Sequence, residues 1–199
     1  MNNVMRAAAA ASILLGLSGC ALMGGGKAPK NLMTLSATAP SPGPIARSGN
    51  AGESVTIEEP VIAKEIRVTR VAAQVGSTTV AYIKDLNLVD TPDKLFKDLL
   101  AETVLRTTNR VVLDPKQSNL DPGLTVSGRL ANFGYEGNQG TVLVRYDAAL
   151  STAGGTRVET RRFEARAPAD GTAGTVGPAL NQASNEVATQ VAAWIGSGR

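Results

Sequence analysis

The sequence contains no histidine and a single cysteine in 199 residues. Without histidine there can be no Ser-His-Asp or Cys-His catalytic group, no His-ligated metal and no imidazole base working near neutral pH. A single cysteine excludes an internal disulfide and a zinc site made of cysteines. The sequence therefore predicts no metal ion, no cofactor and no enzymatic activity.

Aromatic residues and unbalanced charge are also scarce. Phe, Trp and Tyr make up 4% of the chain, and 20 Lys and Arg stand against 17 Asp and Glu, which leaves a formal charge of +3. A nucleic-acid-binding protein is expected to concentrate positive charge on one surface. No nucleic-acid partner is therefore predicted, whereas the 43% of apolar residues are enough to bury one core.

Residues 1–19 have the form of a bacterial secretion signal. Arg6 supplies a short positive region, residues 7–17 are mainly apolar, and small residues follow. The apolar run is shorter than the roughly 20 residues that a membrane-spanning helix needs. The segment is therefore predicted to direct secretion and to be removed.

The end of this signal resembles the lipobox of bacterial lipoproteins. Leu17, Ser18 and Gly19 precede Cys20, the only cysteine. The resemblance implies cleavage before Cys20, lipidation of its thiol and acylation of the new amino terminus, which would anchor the protein stably to a membrane. The alternative is an ordinary signal peptide whose cysteine is discarded. Ala21 stands where lipoproteins retained in the inner membrane typically carry Asp, so the resemblance favours the periplasmic face of the outer membrane.

The remaining chain divides into a tether and one folded domain. Residues 20–54 are rich in Gly and Pro and show little periodicity, which is typical of a flexible linker. A linker of about 35 residues reaches on the order of 30 Å. Within it, residues 31–36 alternate apolar and polar side chains and predict a short strand. Residues 55–199 are predicted to form the folded domain.

Alternation of apolar and polar residues predicts the strands of this domain, and a 3.6-residue period of apolar residues predicts its helices. One helix is expected to begin at Thr91-Pro92, with Thr91 capping the free amides, and to end near Asn109; a second is expected from about Gly177 to Ile195. The predicted strands lie around Ile66–Val71, Thr78–Ile83, Val111–Leu113, Leu124–Leu130, Val142–Leu150 and Thr156–Ala167, with a hairpin at Gly154-Gly155. Both helices must cover one mixed sheet, so the predicted fold class is α/β in the broad sense, an α+β sandwich.

The order of these segments resembles the ABC-type transport auxiliary lipoprotein family. The residues that carry the resemblance are the lipobox, Leu32–Ser36, Ile66, Val68, Val71, Val80–Ile83 and Pro92–Glu102. The resemblance implies a lipoprotein that works with a mammalian-cell-entry (MCE) domain substrate-binding protein, an inner-membrane permease and a cytoplasmic ATPase to move lipids. The implied role is non-catalytic docking of this assembly at the outer membrane. The resemblance leaves open whether the protein forms a homo-oligomer.

Two surfaces are candidates for partner binding. The segment from Tyr82 to Asp90 is apolar between a strand and a helix start, which favours an exposed patch or, alternatively, residues that cap the core. Its candidate contacts are Tyr82, Ile83, Leu86, Leu88 and Val89. The second surface is formed by arginines that could face an anionic lipid or an acidic partner, or could lie on a solvated strand face balanced by Glu159 and Glu164. These arginines are Arg145, Arg157, Arg161, Arg162 and Arg166.

Other functions of the same envelope compartment remain alternatives. An outer-membrane activator or assembly factor would also carry a small anchored domain, although a tether of about 35 residues is short for crossing periplasmic space. A lipid carrier would need a large apolar cavity, a docking module an exposed sheet edge, and an enzyme a cluster of perturbed carboxylates. The sequence favours the docking module.

Overall fold

The computed structural model describes residues 31–50, 52–121, 123–152 and 156–197. The predicted signal peptide and lipobox, including Leu17, Ser18, Gly19 and Cys20, lie outside the described residues, as does most of the hairpin predicted at Gly154-Gly155. The elements are β1 (Val55–Ile57), β2 (Val61–Ile62), β3 (Arg70–Gln74), β4 (Val80–Asn87), α1 (Pro92–Thr107), β5 (Val112–Leu113), β6 (Leu124–Glu136), β7 (Thr141–Ser151), β8 (Val158–Pro168) and α2 (Ala173–Ser197).

The sheet is organised around β6, the longest strand. One edge of β6 pairs antiparallel with β7, and β7 pairs antiparallel with β8 over its whole length. The other edge pairs in turn with β1, β2 and β3, all parallel to β6. Next to these, β5 lies parallel to β1 and β4 lies antiparallel to β3. The result is one mixed sheet with two helices, which confirms the α+β prediction.

Both helices pack on the same side of the sheet. α1 contacts β1, β2 and β5, while α2 contacts β7 and β8 and also packs against α1. Alternation along the strands directs one set of side chains to the helices, among them Val144 and Tyr146 of β7, which are fully buried. On α1 the apolar stripe at Phe96, Leu100 and Val104 is buried completely.

The boundaries of α1 follow the sequence prediction, but its predicted cap and the predicted start of α2 do not. Pro92 occupies the first position as expected, yet the Thr91 side chain makes no capping hydrogen bond. The Asp90 carboxylate instead accepts the backbone N–H of Thr91 at 2.7 Å. α2 begins at Ala173, earlier than the expected Gly177. The turn before it is closed by hydrogen bonds from Thr172 and Thr175 to the Asp170 carboxylate.

Several strands also differ from the expected ones. The strand expected around Ile66–Val71 is a 3-10 helix over Lys64–Ile66, followed by β3. β4 continues four residues beyond the expected end at Ile83 and contains an irregularity in its pairing with β3. At that irregularity Asp85 adopts φ 59°, a left-handed conformation that short polar residues tolerate. β1 and β2 were not predicted.

Candidate functional site

The clearest interaction feature is the edge of the sheet formed by β8. The strand is 11 residues long and pairs with β7, and no strand of the described chain pairs with its other edge. Unpaired backbone N–H and C=O groups along such an edge can accept an extended segment from another chain. Val158 at the start of the strand is 61% exposed. The open edge of β8 can therefore bind an extended segment by strand addition, and such binding involves no chemical reaction.

Charged residues cover the sheet face that turns away from the helices. The register aligns Arg129, Asp147 and Arg162 on neighbouring strands. Arg162 Nε donates to Asp147 Oδ1 at 2.5 Å, and a second nitrogen of Arg162 donates to Oδ2 at 3.0 Å. This bidentate geometry fixes both side chains and gives β8 a defined charge pattern close to its open edge.

A second group of ion pairs lies further along the same face. Arg145 Nε donates to Glu164 Oε2 at 2.6 Å, and Arg166 pairs with both Glu164 and Glu136. On the helix side of the sheet, Arg157 pairs with Glu159 at the start of β8. The arginines singled out in the sequence are therefore largely balanced by carboxylates, as the solvated-face alternative required.

Hydrogen bonds from arginine keep two of these carboxylates ionised. The Arg162 side chain lowers the pKa of Asp147, and the Arg145 side chain lowers the pKa of Glu164. Ion pairs at such exposed positions contribute little to stability. Their charge is nevertheless present throughout the neutral range, so a partner at this edge would meet an alternating pattern of fixed charges.

Arg161 differs from the other arginines of β8. It faces the helix side of the sheet, next to Phe163, and its guanidinium lies 5.3 Å from the centre of that ring. Phe163 itself packs against Trp194 of α2 with ring centres 5.5 Å apart. Arg161 is thus held by an aromatic surface instead of by a carboxylate, at the open edge of the sheet.

The candidate patch between Tyr82 and Val89 is mostly part of the core. Ile83, Leu86 and Leu88 are buried, so a partner cannot contact their side chains without opening the fold. The burial of these three residues follows the core-capping alternative. Val89 is 49% exposed and Tyr82 is partly exposed, so these two residues remain on the surface.

Tyr82 is held by contacts within the chain. Its hydroxyl donates to the backbone oxygen of Glu65 at 3.1 Å, and the Arg70 guanidinium lies 3.9 Å from the centre of its ring. These contacts attach the 3-10 helix to the sheet. Of the five sequence-predicted contacts, Val89 alone combines high exposure with an apolar side chain.

The short strand expected over residues 31–36 is part of an extended strap over residues 31–39, which pairs with the sheet through a single β-bridge. Met33 forms a parallel bridge with Leu88 at the end of β4, and alternate strap side chains turn toward the core. Two side chains of α2 then bond to the strap: Asn181 Oδ1 accepts the N–H of Ser36 at 2.8 Å, and Asn185 Oδ1 accepts the N–H of Thr38 at 2.7 Å. The sequence did not predict these hydrogen bonds; the signal available for them was the spacing of the two asparagines, which lie one helical turn apart on α2.

A cavity of about 720 Å³ lies between the carboxyl ends of both helices and the end of the β6–β7–β8 meander. Its lining combines charged side chains, Glu53, Arg110, Arg157 and Glu159, with apolar ones such as Leu124 and Leu150. A site for acyl chains is lined predominantly by hydrophobic groups, whereas this lining mixes apolar with charged side chains.

The described residues contain no group of three or more Cys, Asp or Glu side chains arranged to hold a metal ion. None of their helices combines the length and hydropathy that crossing a membrane requires.

Comparisons with known proteins add a family to this architecture. The family model described as an ABC-type transport auxiliary lipoprotein component matches residues 34–192. No curated protein matches the chain. A solved structure from Xanthomonas campestris, assigned to the family model DUF330, is similar with a TM-score of 0.65 and 15% identity, covering 83% of this chain and 94% of its own. An uncharacterized protein has a TM-score of 0.59 and 14% identity, covering 83% and 99%. At these identities the structural likeness shows the fold.

Proposed function

Because the chain belongs to the ABC-type transport auxiliary lipoprotein component family, we propose that it is the lipid-anchored accessory that docks an MCE-type lipid transport assembly at the outer membrane. The observation that carries the proposal is the family match, which extends from the strap into α2. The anchor is Cys20, the head is the α+β domain, and the partner is the MCE-domain protein with its permease and ATPase.

The open edge of β8 is the proposed contact. Strand addition supplies affinity through main-chain hydrogen bonds and specificity through side chains beside the edge. Here those side chains include Arg161 on the helix side and the Arg162–Asp147 pair on the other. A partner segment that is extended and carries an acidic residue opposite Arg161 would match this edge.

Affinity purification tests the proposal directly. The full lipoprotein, with Cys20 intact, is purified from mildly solubilised envelopes and the bound proteins are identified by mass spectrometry. We expect an MCE-domain protein, its permease and its ATPase in near-stoichiometric amounts. Recovery of a cell-wall synthase, or of no partner under gentle extraction, would overturn the docking function.

Matched variants then test the surface. Val158→Lys adds a charge at the β8 edge, and Val61→Lys adds the same charge at a strand position with nearly equal exposure, 62% against 61%. Recovery of the MCE protein should fall severalfold for Val158→Lys and stay unchanged for Val61→Lys. Val89→Asp tests the remaining sequence-predicted surface, and a loss confined to that variant would move the contact from β8 to the end of β4.

Substitution of the anchor tests the location. Cys20→Ser removes the thiol that the lipobox resemblance implies is lipidated. The variant should lose its acyl mass and leave the outer-membrane fraction. Retention of Cys20→Ser in that fraction, or recovery of the wild-type protein with inner membranes, would contradict the proposed anchoring.

A further inference from the structure

The strap is recognised through its main chain. Asn185 acts on both kinds of backbone group, because its Oδ1 accepts the N–H of Thr38 at 2.7 Å and its Nδ2 donates to the carbonyl of Ser36 at 2.9 Å. On the other side, a guanidinium nitrogen of Arg106 in α1 donates to the carbonyl of Ala39 at 2.8 Å. Both helices therefore hold an extended peptide as neighbouring strands of a sheet would.

The strap contributes only partly buried side chains to the domain. Met33, Leu35 and Ala37 pack against the core without being fully covered, whereas Leu32 is 52% exposed. The helices and the sheet bury their own apolar residues against one another, including Phe96, which is fully buried. Detaching the strap would therefore expose much less apolar surface than unfolding the domain, and such low-cost segments open locally.

The position of the strap decides how long the tether is. When the strap is docked, ten residues separate Cys20 from Asn31, and the 11 Cα–Cα steps between them span at most about 40 Å. When it is detached, the next attachment along the chain is Arg47, whose guanidinium donates to the carbonyls of Leu105 and Thr108 at the end of α1, at 3.5 and 3.4 Å. The 27 Cα–Cα steps from Cys20 to Arg47 can span up to about 97 Å.

We propose that the strap detaches reversibly and in this way switches the folded domain between a short and a long tether. The inference rests on the proposed lipid anchoring at Cys20. When the strap is docked, it keeps the domain near the bilayer. When the strap is released, the domain reaches a partner deeper in the periplasm without unfolding. The order-to-disorder change is confined to this one segment.

Hydrogen exchange of the full, detergent-solubilised chain tests release itself. Wild-type amides of residues 33–39 should exchange faster than those in the centre of β6 and β7, because local opening is cheaper than global unfolding. Asn181→Ala should speed exchange of the Ser36 amide at least tenfold and leave the sheet protected. Gln182→Ala, an exposed change on the same helix, is the matched control. Strap amides that exchange as slowly as the sheet, or no response to Asn181→Ala, would overturn the proposal.

Energy transfer on vesicles tests the tether length. Trp194 is the only tryptophan of the chain and lies in α2, so it is a built-in donor toward dansyl-labelled lipid in vesicles that carry the full lipoprotein. The variant Asn181→Ala/Asn185→Ala should transfer less energy than Gln182→Ala, because its head moves away from the bilayer. Circular dichroism is the control that checks whether the variant is folded.

The outcomes of this measurement separate the two proposals. Protein that does not stay on vesicles contradicts the lipid anchor and with it the proposed function. Protein that is anchored and shows faster strap exchange but unchanged transfer contradicts the tether switch alone. Lower transfer in Asn181→Ala as well as in the double variant supports the switch, since the single change leaves the buried Asn185 in place.

Discussion

The ring of Tyr146 lies against the backbone of Gly128, where no side chain keeps the two apart. A Cβ added to Gly128 would come within 2.9 Å of Cε2 of Tyr146 and 2.3 Å of the carbonyl oxygen of Asp147. Neither group can move freely, because Tyr146 is fully buried and Asp147 belongs to the central meander. Gly128 thus allows the aromatic ring to occupy the core beneath α1, where Phe96 packs against it with ring centres 5.2 Å apart.

Gly128→Ala is therefore expected to destabilise the domain by about 1–3 kcal/mol, the cost of inserting a methyl group into a packed core. Chemical denaturation followed by circular dichroism measures the change. Gly76→Ala is the control, since its Cβ would meet only Thr79 at an ordinary 3.6 Å. An effect of Gly128→Ala no larger than that of Gly76→Ala would refute the steric explanation.

The Tyr146 hydroxyl leads to a prediction of the opposite sign. This oxygen is buried and has no hydrogen-bond partner among the described residues, and burial raises the pKa of the phenol. An unsatisfied buried polar group costs about 1–3 kcal/mol. Tyr146→Phe should therefore raise the unfolding free energy by about 1 kcal/mol and Tm by about 2–4 °C. A lower Tm in calorimetry would mean that the hydroxyl contributes a stabilising contact.

Gly174 in α2 reduces the stability of the helix without a steric need. A Cβ at this position would meet only the Thr172 hydroxyl at 4.0 Å. Replacing a helical glycine by alanine gains about 0.5–1 kcal/mol, so Gly174→Ala should raise the denaturation midpoint. Gly177→Ala is the contrast: Pro178 follows it, and a Cβ on the residue before proline disfavours helical backbone, so no gain is expected there. An unchanged or lower midpoint for Gly174→Ala would contradict the prediction.

The sequence predicted the parts of the fold that depend on a long periodic pattern. The stripe of α1, the helix α2 and the meander β6–β7–β8 were all expected, because each contains enough residues for a period to be recognised. β1 and β2 were not, since they have three and two residues and all three residues of β1 are buried, which removes the alternation. Their pairing along one edge of β6 depends on contacts far apart in sequence.

The candidate contact residues were less predictable for a related reason. The segment Tyr82 to Val89 has the composition of either an exposed patch or a core cap, and only the fold decides that Leu88 is buried and Val89 is exposed. Similarly, a helical asparagine such as Asn185 reads as a surface residue until the strap, 147 residues away, is placed upon it. Local patterns carry no information on such distant partners.

The turn before α2 provides a prediction on pH. The Asp170 carboxylate accepts hydrogen bonds from the Thr175 hydroxyl and from the N–H and hydroxyl of Thr172, and these lower its pKa from 3.8 to about 2. Because the folded pKa lies below the unfolded one, the stabilising contribution is complete above about pH 4 and disappears as the pH falls toward 2.

Asp170→Asn removes this titration while keeping an oxygen that can accept a hydrogen bond. The variant should have a lower Tm than the wild type by a constant amount between pH 5 and 7, and the difference should shrink as the pH falls from about 4 to about 2. Asp98→Asn, a change of the same kind at a surface residue of α1, is the control. A Tm difference that stayed constant down to pH 2 would show that the loss comes from altered hydrogen-bond geometry in the turn and that the ionised carboxylate is not what stabilises the start of α2.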